Sequence, residues 1–319
     1  MTLFEEFKQS LKAIEAEEVF DLIIYRPIAF TFVKIVYGTN LTPNQTSVLA
    51  MIVGVSAGVS FGFGTPAAIT VGALLYLAAN ILDCADGQIA RLKKNGTKVG
   101  RIVDGFIDYV VSAAIFFGIA IGLTHQQNIG TFNMYGNFFN GNPYAYIWIT
   151  TALAGFSSAA QAFYFDFYRN KFLEIVYGKF YSLEDEIKEF EEEKTRVTNE
   201  PEKAGFFDKF LIIVYLKYNK LQLKSQMKKK TYSEENIPAQ LYASKNKVLL
   251  RILSFTGPTT HITLCIIAAL ANNLELFLLL CIIPLNIIML IIYFLQRRVY
   301  NNLLIKVKSN KNRYEGVNI

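Results

Sequence analysis

The sequence predicts an all-α polytopic integral membrane protein. It has six transmembrane helices, an N-terminal juxtamembrane helix and a helical insertion on the cytoplasmic side. Three observations carry that prediction. Apolar residues make up 52% of the 319 residues and charged residues only 18%, against roughly 45–50% and about 25% in soluble domains. The apolar excess falls in long blocks, with the charges between them. Lys and Arg gather on alternate connections between those blocks. A disordered chain is excluded, because such chains lack long apolar blocks. Cys84, Cys265 and Cys281 lie in apolar stretches and no CxxC pair exists, which argues against a disulfide framework and a zinc ribbon.

The elements follow in order. The first 18 residues are polar and acidic, with no apolar core of the kind a secretory signal needs. Asp21 to Tyr37 reads as an amphipathic helix before the first span. Tyr25, Arg26 and Lys34 sit at headgroup level, and Pro27 starts or bends the helix. Six apolar blocks follow at about 46–64, 66–84, 102–123, 145–166, 249–270 and 274–295, each near the roughly 20 residues a crossing needs. Gly54, Gly58 and Gly62, spaced by four, open one face of the first block to close approach by a neighbour. Pro284 is expected to kink the last block. Residues 172–246 form an insertion. An acidic run is followed by an apolar stretch (Phe206 to Tyr218) too short for an easy crossing, then by a basic run. A solvated hairpin touching the membrane face fits that pattern. The expected organisation is 1–40 juxtamembrane, 41–171 with 247–296 as the six-helix membrane domain, 172–246 insertion, and 297–319 basic tail.

Orientation follows from the basic residues. Arg91, Lys93, Lys94, Lys98 and Arg101 crowd the second connection, while Phe61–Pro66, Thr124–Tyr144 and Ala271–Asn273 hold neither Lys nor Arg. The positive-inside rule then places both termini in the cytoplasm and the protein in the inner (cytoplasmic) membrane. The net charge of +6 is accounted for by topology and by attraction to anionic lipid, so nucleic acid is not an expected partner.

Carboxylates inside apolar helices are costly and mark function. Asp83 and Asp86 share a helix face with Gly87, Ala90 and Arg91, and Gly100, Asp104 and Asp108 share a face of the next helix. A short basic turn joins the two helices, so the faces can meet. Four converging carboxylates cannot all stay ionised without cations. An all-oxygen set with no His or Cys nearby favours two Mg²⁺ or Mn²⁺ ions over zinc. Such ions commonly also bind substrate phosphate. Arg91 adds a fork for phosphate, and Gly87 and Ala90 leave room for a diphosphate to approach the backbone.

The full pattern is Asp83-x-x-Asp86-Gly87-x-x-Ala90-Arg91-x8-Gly100-x3-Asp104-x3-Asp108. Eight fixed positions arise by chance at a rate of roughly 10⁻¹⁰ per start. The pattern resembles the signature of the CDP-alcohol phosphotransferase family. That resemblance implies a six-helix membrane enzyme that moves a substituted phosphate group from a CDP-linked donor to a hydroxyl acceptor, with release of CMP. It implies metal ligation by Asp83, Asp86 and Asp104, and a general base at Asp108 that also touches the second metal. It implies CDP contacts from Gly87, Arg91 and Thr97, with Ala90 and Gly100 as small positions of the same site. Asn44 of the Thr42-Pro43-Asn44 turn borders the nucleotide. Homodimers are common in the family, and the glycine-rich faces allow one. CDP-diacylglycerol with a polyol phosphate such as inositol phosphate is the expected substrate pair, and Arg26-Pro27-Ile28 loosely resembles members that handle such compounds. Arg101, Arg169, Lys171 and Arg251 are candidates for the acceptor phosphate, against plain positive-inside anchoring. The alternatives are a soluble CDP-alcohol donor with diacylglycerol or ceramide as acceptor, an intramembrane prenyltransferase, and a non-catalytic transporter or scaffold with an ion path. The prenyltransferase needs a second Asp-rich cluster, for which Asp166 alone is a poor candidate.

Overall fold

Helix starts in this protein are written in local chemistry. The computed structural model describes residues 2–11, 14, 17–95, 98–128, 142–177 and 238–315, with isolated positions between 187 and 217. No strand occurs among them. α1 (Leu3–Ser10) opens on a capping box, in which Thr2 and Glu5 satisfy each other's backbone N–H groups. A π-helical turn (Asp21–Tyr25) leads into α2 (Arg26–Val36). Pro27 sits in the first turn of α2, where a missing N–H costs nothing. The expected juxtamembrane helix is thus present, in two parts. α3 (Pro43–Gly62) repeats the capping box with Thr42 and Gln45. α4 (Pro66–Lys93) is capped by Thr65 and closes on Lys94 in the left-handed region, whose N–H donates to the Ala90 carbonyl. Then come α5 (Lys98–Asn128), α6 (Pro143–Tyr177), α7 (Ala239–Leu253), α8 (Pro258–Leu270), α9 (Leu274–Ile282) and α10 (Pro284–Glu315).

The chain is a multi-pass membrane protein. α3, α4, the Val103–Asn128 part of α5, and the Leu274–Leu303 run through α9 and α10 are long and apolar enough to cross a membrane. α7 and α8, separated by a short 3₁₀ turn and bent by 40°, make a fifth crossing if counted as one. Among the described residues, four or five helices meet that test of length and apolarity, against the six spans expected. The difference is α6, whose 35 residues are long enough but whose apolar run is diluted by Thr150, Thr151, Ser157, Ser158 and Gln161. Helices also outrun the apolar blocks. α4 continues nine residues past Cys84, because the block marks the lipid-facing part of a helix and not its end. At Pro284 the helical run is interrupted at Ile283, which divides it into α9 and α10.

The chain divides into two compact units. The first comprises Met1–Gly96, Asp104–Asp166 and Arg251–Ile291, and the second Thr97–Val103, Phe167–Leu250 and Ile292–Ile319. In the first, Phe61, Ile69, Ala73, Tyr76, Ile115, Ile119, Cys265 and Phe277 build the central core. A smaller cluster packs Tyr25, Ala29 and Val33 against Cys84, Ala85 and Ile89. α4 is common to both. Its first half is held in the apolar core and its second half, which bears the acidic motif, is held by α2.

α3 and α5 meet backbone to backbone. A side chain on Gly118 would strike the Gly58 carbonyl, and one on Gly58 would strike the Ala114 carbonyl. Gly54 belongs to the same seam, with a Cβ position 2.7 Å from Val111, whereas Gly62 meets nothing closer than 3.7 Å. Gly118→Ala is therefore expected to cost about 1–3 kcal/mol and to lower the thermal midpoint of the detergent-solubilised protein. Gly62→Ala should leave that midpoint within a degree or so.

A buried polar cluster ties α6 to the broken helices. Gln161 Nε2 donates to the Cys281 carbonyl (2.9 Å) and to Asn286 Oδ1 (2.8 Å), and its Oε1 lies 2.7 Å from His261 Nε2. The amide orientation fixed by Cys281 leaves Oε1 as the acceptor, so His261 Nε2 carries the hydrogen. The cluster satisfies backbone next to the Pro284 break, which a membrane interior requires.

Candidate active site

α4 and α5 bring three acidic side chains together. One carboxylate oxygen from each of Asp83, Asp86 and Asp104 lies within 4.8 Å of the others. Asp86 is buried at 5% exposure, and Asp83 and Asp104 are half-buried. Three anions at that spacing repel one another unless a cation joins them. All-oxygen donors fit a hard divalent ion such as Mg²⁺ or Mn²⁺.

Asp108 does not join that group. It lies one turn further along α5, within electrostatic range of Asp83, Asp104 and Asp86, and of Asp166 on α6. Its side chain is exposed at the surface of the chain. Asp86 is set apart by its buried partner. Ser47 Oγ on α3 approaches Asp86 Oδ2 at 2.5 Å and the Pro43 carbonyl at 3.1 Å. One hydroxyl proton serves the shorter, charged contact. The sequence reading missed Ser47. The only signal was its place one turn after Pro43, and α3 is too uniformly small and apolar to say which face meets α4. Ser47→Ala is expected to weaken divalent-ion affinity about 10–100-fold, in line with other orienting partners of metal ligands. Titration of Mn²⁺ by electron paramagnetic resonance would read the change.

Arg91 is already engaged. Its Nε donates to the Ser10 carbonyl at the end of α1. Its guanidinium lies over Gly87, with Nη2 3.2 Å and Nη1 3.4 Å from where a Gly87 side chain would begin. The Arg91 guanidinium thus lines the room at Gly87. Lys93 Nζ donates to the carbonyls of Thr39 (2.8 Å) and Leu41 (3.1 Å), which fastens the Thr42-Pro43-Asn44 turn to the end of α4. Asn44 is exposed there and Ala90 is half-buried. Beside the motif, Cys84 Sγ lies 3.6 Å from Asp21 Oδ1. Burial pushes the Asp21 carboxyl above its ordinary range, with Arg26 opposing the shift and Glu17 adding to it.

The other expected residues are placed as follows. Thr97 lies outside the described residues. Gly100 and Arg101 are in the first turn of α5. Arg169 and Lys171 are on the second-unit part of α6, where the Lys171 ammonium sits 4.4 Å above the Tyr300 ring. The Arg251 guanidinium is occupied by the carbonyls of Glu17 (3.1 Å) and Ile14 (3.2 Å).

The sequence pattern of the CDP-alcohol phosphatidyltransferase family matches residues 40–159, the stretch that carries Asp83, Asp86, Asp104 and Asp108. Over those residues the chain is similar to CDP-alcohol phosphatidyltransferases. The archaetidylinositol phosphate synthase of Pyrococcus horikoshii is 30% identical over 105 residues, which is 33% of this chain and 54% of that protein. A bifunctional IPC transferase and DIPP synthase of Archaeoglobus fulgidus is 30% identical over 98 residues, 31% of this chain and 19% of its own. A protein of the same name from Thermococcus kodakarensis is 30% identical over 87 residues, 27% of this chain and 19% of its own. The chain spans about half the length of the first relative and about a fifth of the other two. The family match ends at residue 159 and so takes in neither the 172–246 segment nor α7 to α10.

Proposed function

We propose that this CDP-alcohol phosphatidyltransferase domain transfers a phosphatidyl group from CDP-diacylglycerol to a polyol phosphate such as inositol phosphate, with release of CMP. The observation that carries the reading is the convergence of Asp83, Asp86 and Asp104 from two helices within 4.8 Å, inside the matched family segment. The name of the Pyrococcus horikoshii relative supports the choice of acceptor. For the acceptor phosphate, Arg101, Arg169 and Lys171 are retained on charge and sequence position alone.

Asp83, Asp86 and Asp104 would hold a divalent ion, Mg²⁺ or Mn²⁺, and Asp108 would contribute to a second. When bound, such ions offset the charge of the donor diphosphate and of the departing CMP. The chain's own groups do the rest. Gly87, Ala90, Arg91, Thr97, Gly100 and Asn44 are assigned to the CDP side of the site. Asp108 takes the proton of the acceptor hydroxyl as its oxygen bonds to phosphorus. The phosphorus–oxygen bond to CMP breaks in the same displacement, so positioning and charge neutralisation supply most of the acceleration. The basic connections support a cytoplasmic position for this end of the bundle and both termini, with the protein in the inner membrane. The protein works as a homodimer.

Purified protein in lipid vesicles, given labelled CDP-diacylglycerol and inositol phosphate, is expected to release CMP only with Mg²⁺ or Mn²⁺ and to yield a phosphatidylinositol phosphate lipid. CMP release from a soluble CDP-alcohol with diacylglycerol, but not from CDP-diacylglycerol, would overturn the substrate assignment. No CMP from either donor would overturn the activity.

A further inference from the structure

The residues ahead of α2 are fastened to the site-bearing helices at several points. Glu6 Oε2 pairs with Lys34 Nζ of α2 at 2.6 Å, and Phe7 packs edge-on against Phe30 at 5.3 Å. The Ser10 carbonyl accepts from Arg91 of α4. Arg251 of α7 donates to the carbonyls of Ile14 and Glu17, and Glu17 Oε2 meets Arg26 Nη2 at 3.1 Å. Glu18 Oε2 accepts from the Thr259 N–H at the start of α8 (3.1 Å). Ser10, Leu11, Glu17 and Glu18 are as buried as core residues. A segment this polar would be solvated if it were only a leader, yet it is held to four helices.

Its contact with Arg91 has a directional result. With Nε committed to Ser10, the guanidinium lies back along α4 over Gly87, the residue after Asp86. There Nη2 is buried with no hydrogen-bond partner. A buried guanidinium nitrogen without an acceptor is unfavourable, and an anionic oxygen beside the Asp86 turn would satisfy it.

We propose that the N-terminal segment, acting through the Ser10 carbonyl, is a positioning element of the donor site: it holds Arg91 so that Nη2 meets a phosphate oxygen of the CDP diphosphate. The inference rests on the CDP-donor reading above. Ser10 touches no substrate and works through Arg91. Binding free energies are reciprocal, so a segment that tightens CDP binding must itself be tightened by CDP, by the same factor.

The test uses the full chain in nanodiscs, with CDP and Mg²⁺ as the probe. The Glu6–Lys34 pair is partly exposed, so changing it spares the core. Glu6→Lys is expected to weaken CDP binding about threefold to tenfold, since repulsion replaces a surface ion pair. The rate at saturating donor should stay within about twofold, which a general loss of structure would not do. Glu6→Lys combined with Lys34→Glu should restore the affinity. In the unaltered protein CDP should slow hydrogen exchange of the amides of residues 3–11. Equal CDP affinity in all three proteins, or exchange at residues 3–11 indifferent to CDP, would overturn the proposal while leaving the donor reading intact. Tighter CDP binding in Glu6→Lys would also overturn it, because the segment would then be a plug. Failure of the unaltered protein to bind CDP would sink the donor reading and the proposal with it.

Discussion

Asp86→Asn is expected to lower metal-dependent CMP release by about 10³-fold, because it removes a ligand from ions that supply several kcal/mol of charge stabilisation. Asp86 is the most buried of the three converging carboxylates, and Ser47 orients it. The substitution is nearly isosteric, so the loss should not reflect unfolding. Without metal, Asp83, Asp86 and Asp104 repel one another, and removing one charge relieves that repulsion. In a chelator, Asp86→Asn should therefore melt at or above the midpoint of the unaltered protein. Mg²⁺ should raise the midpoint of the unaltered protein and leave that of Asp86→Asn unchanged. Thermal melts with and without Mg²⁺, read beside the CMP assay, check both halves.

Asp108→Asn should behave differently. Asp108 stands outside the close carboxylate group, one turn along α5, with its side chain exposed. A general base contributes about 10²–10⁴ in rate. Asp108→Asn should therefore lower kcat by at least that factor, since an amide cannot take the acceptor proton, while the first ion keeps its three ligand carboxylates and any rise in the donor KM reports the loss of Asp108 from the second ion. Steady-state kinetics with saturating acceptor would show the split. An unchanged kcat would remove Asp108 from the base role.

Much of this site was legible because spacing on a helix is geometry. Asp83 and Asp86 fall on one face, and Asp104 begins the facing turn of the next helix across a short loop. Their convergence therefore followed from the 3.6-residue period. The membrane class followed from block composition, and the position of α3 from Thr42, Pro43 and Gln45. What stayed hidden depended on contacts between distant residues. Ser10 and Arg91 are 81 residues apart, and no periodicity links a polar leader to a particular arginine. Ser47 was hidden because α3 has no polar face to betray its orientation. Arg251 reads as a candidate for the acceptor phosphate because the backbone carbonyls that occupy it carry no sequence signal. The break at Gly257-Pro258 was written in the dipeptide itself but overlooked, because the apolar run continues across it. α6 shows the converse limit. Its Gln161, Ser157 and Ser158 thin the hydropathy signal of a 35-residue helix whose polar groups are spent on the broken α9–α10 junction.

The most direct test is anomalous scattering at the manganese edge from crystals of the protein grown with Mn²⁺. An ion placed about 2.1 Å from carboxylate oxygens of Asp83, Asp86 and Asp104 is the expected result. Manganese bound elsewhere, or these three side chains ordered with no ion between them, would contradict the assignment.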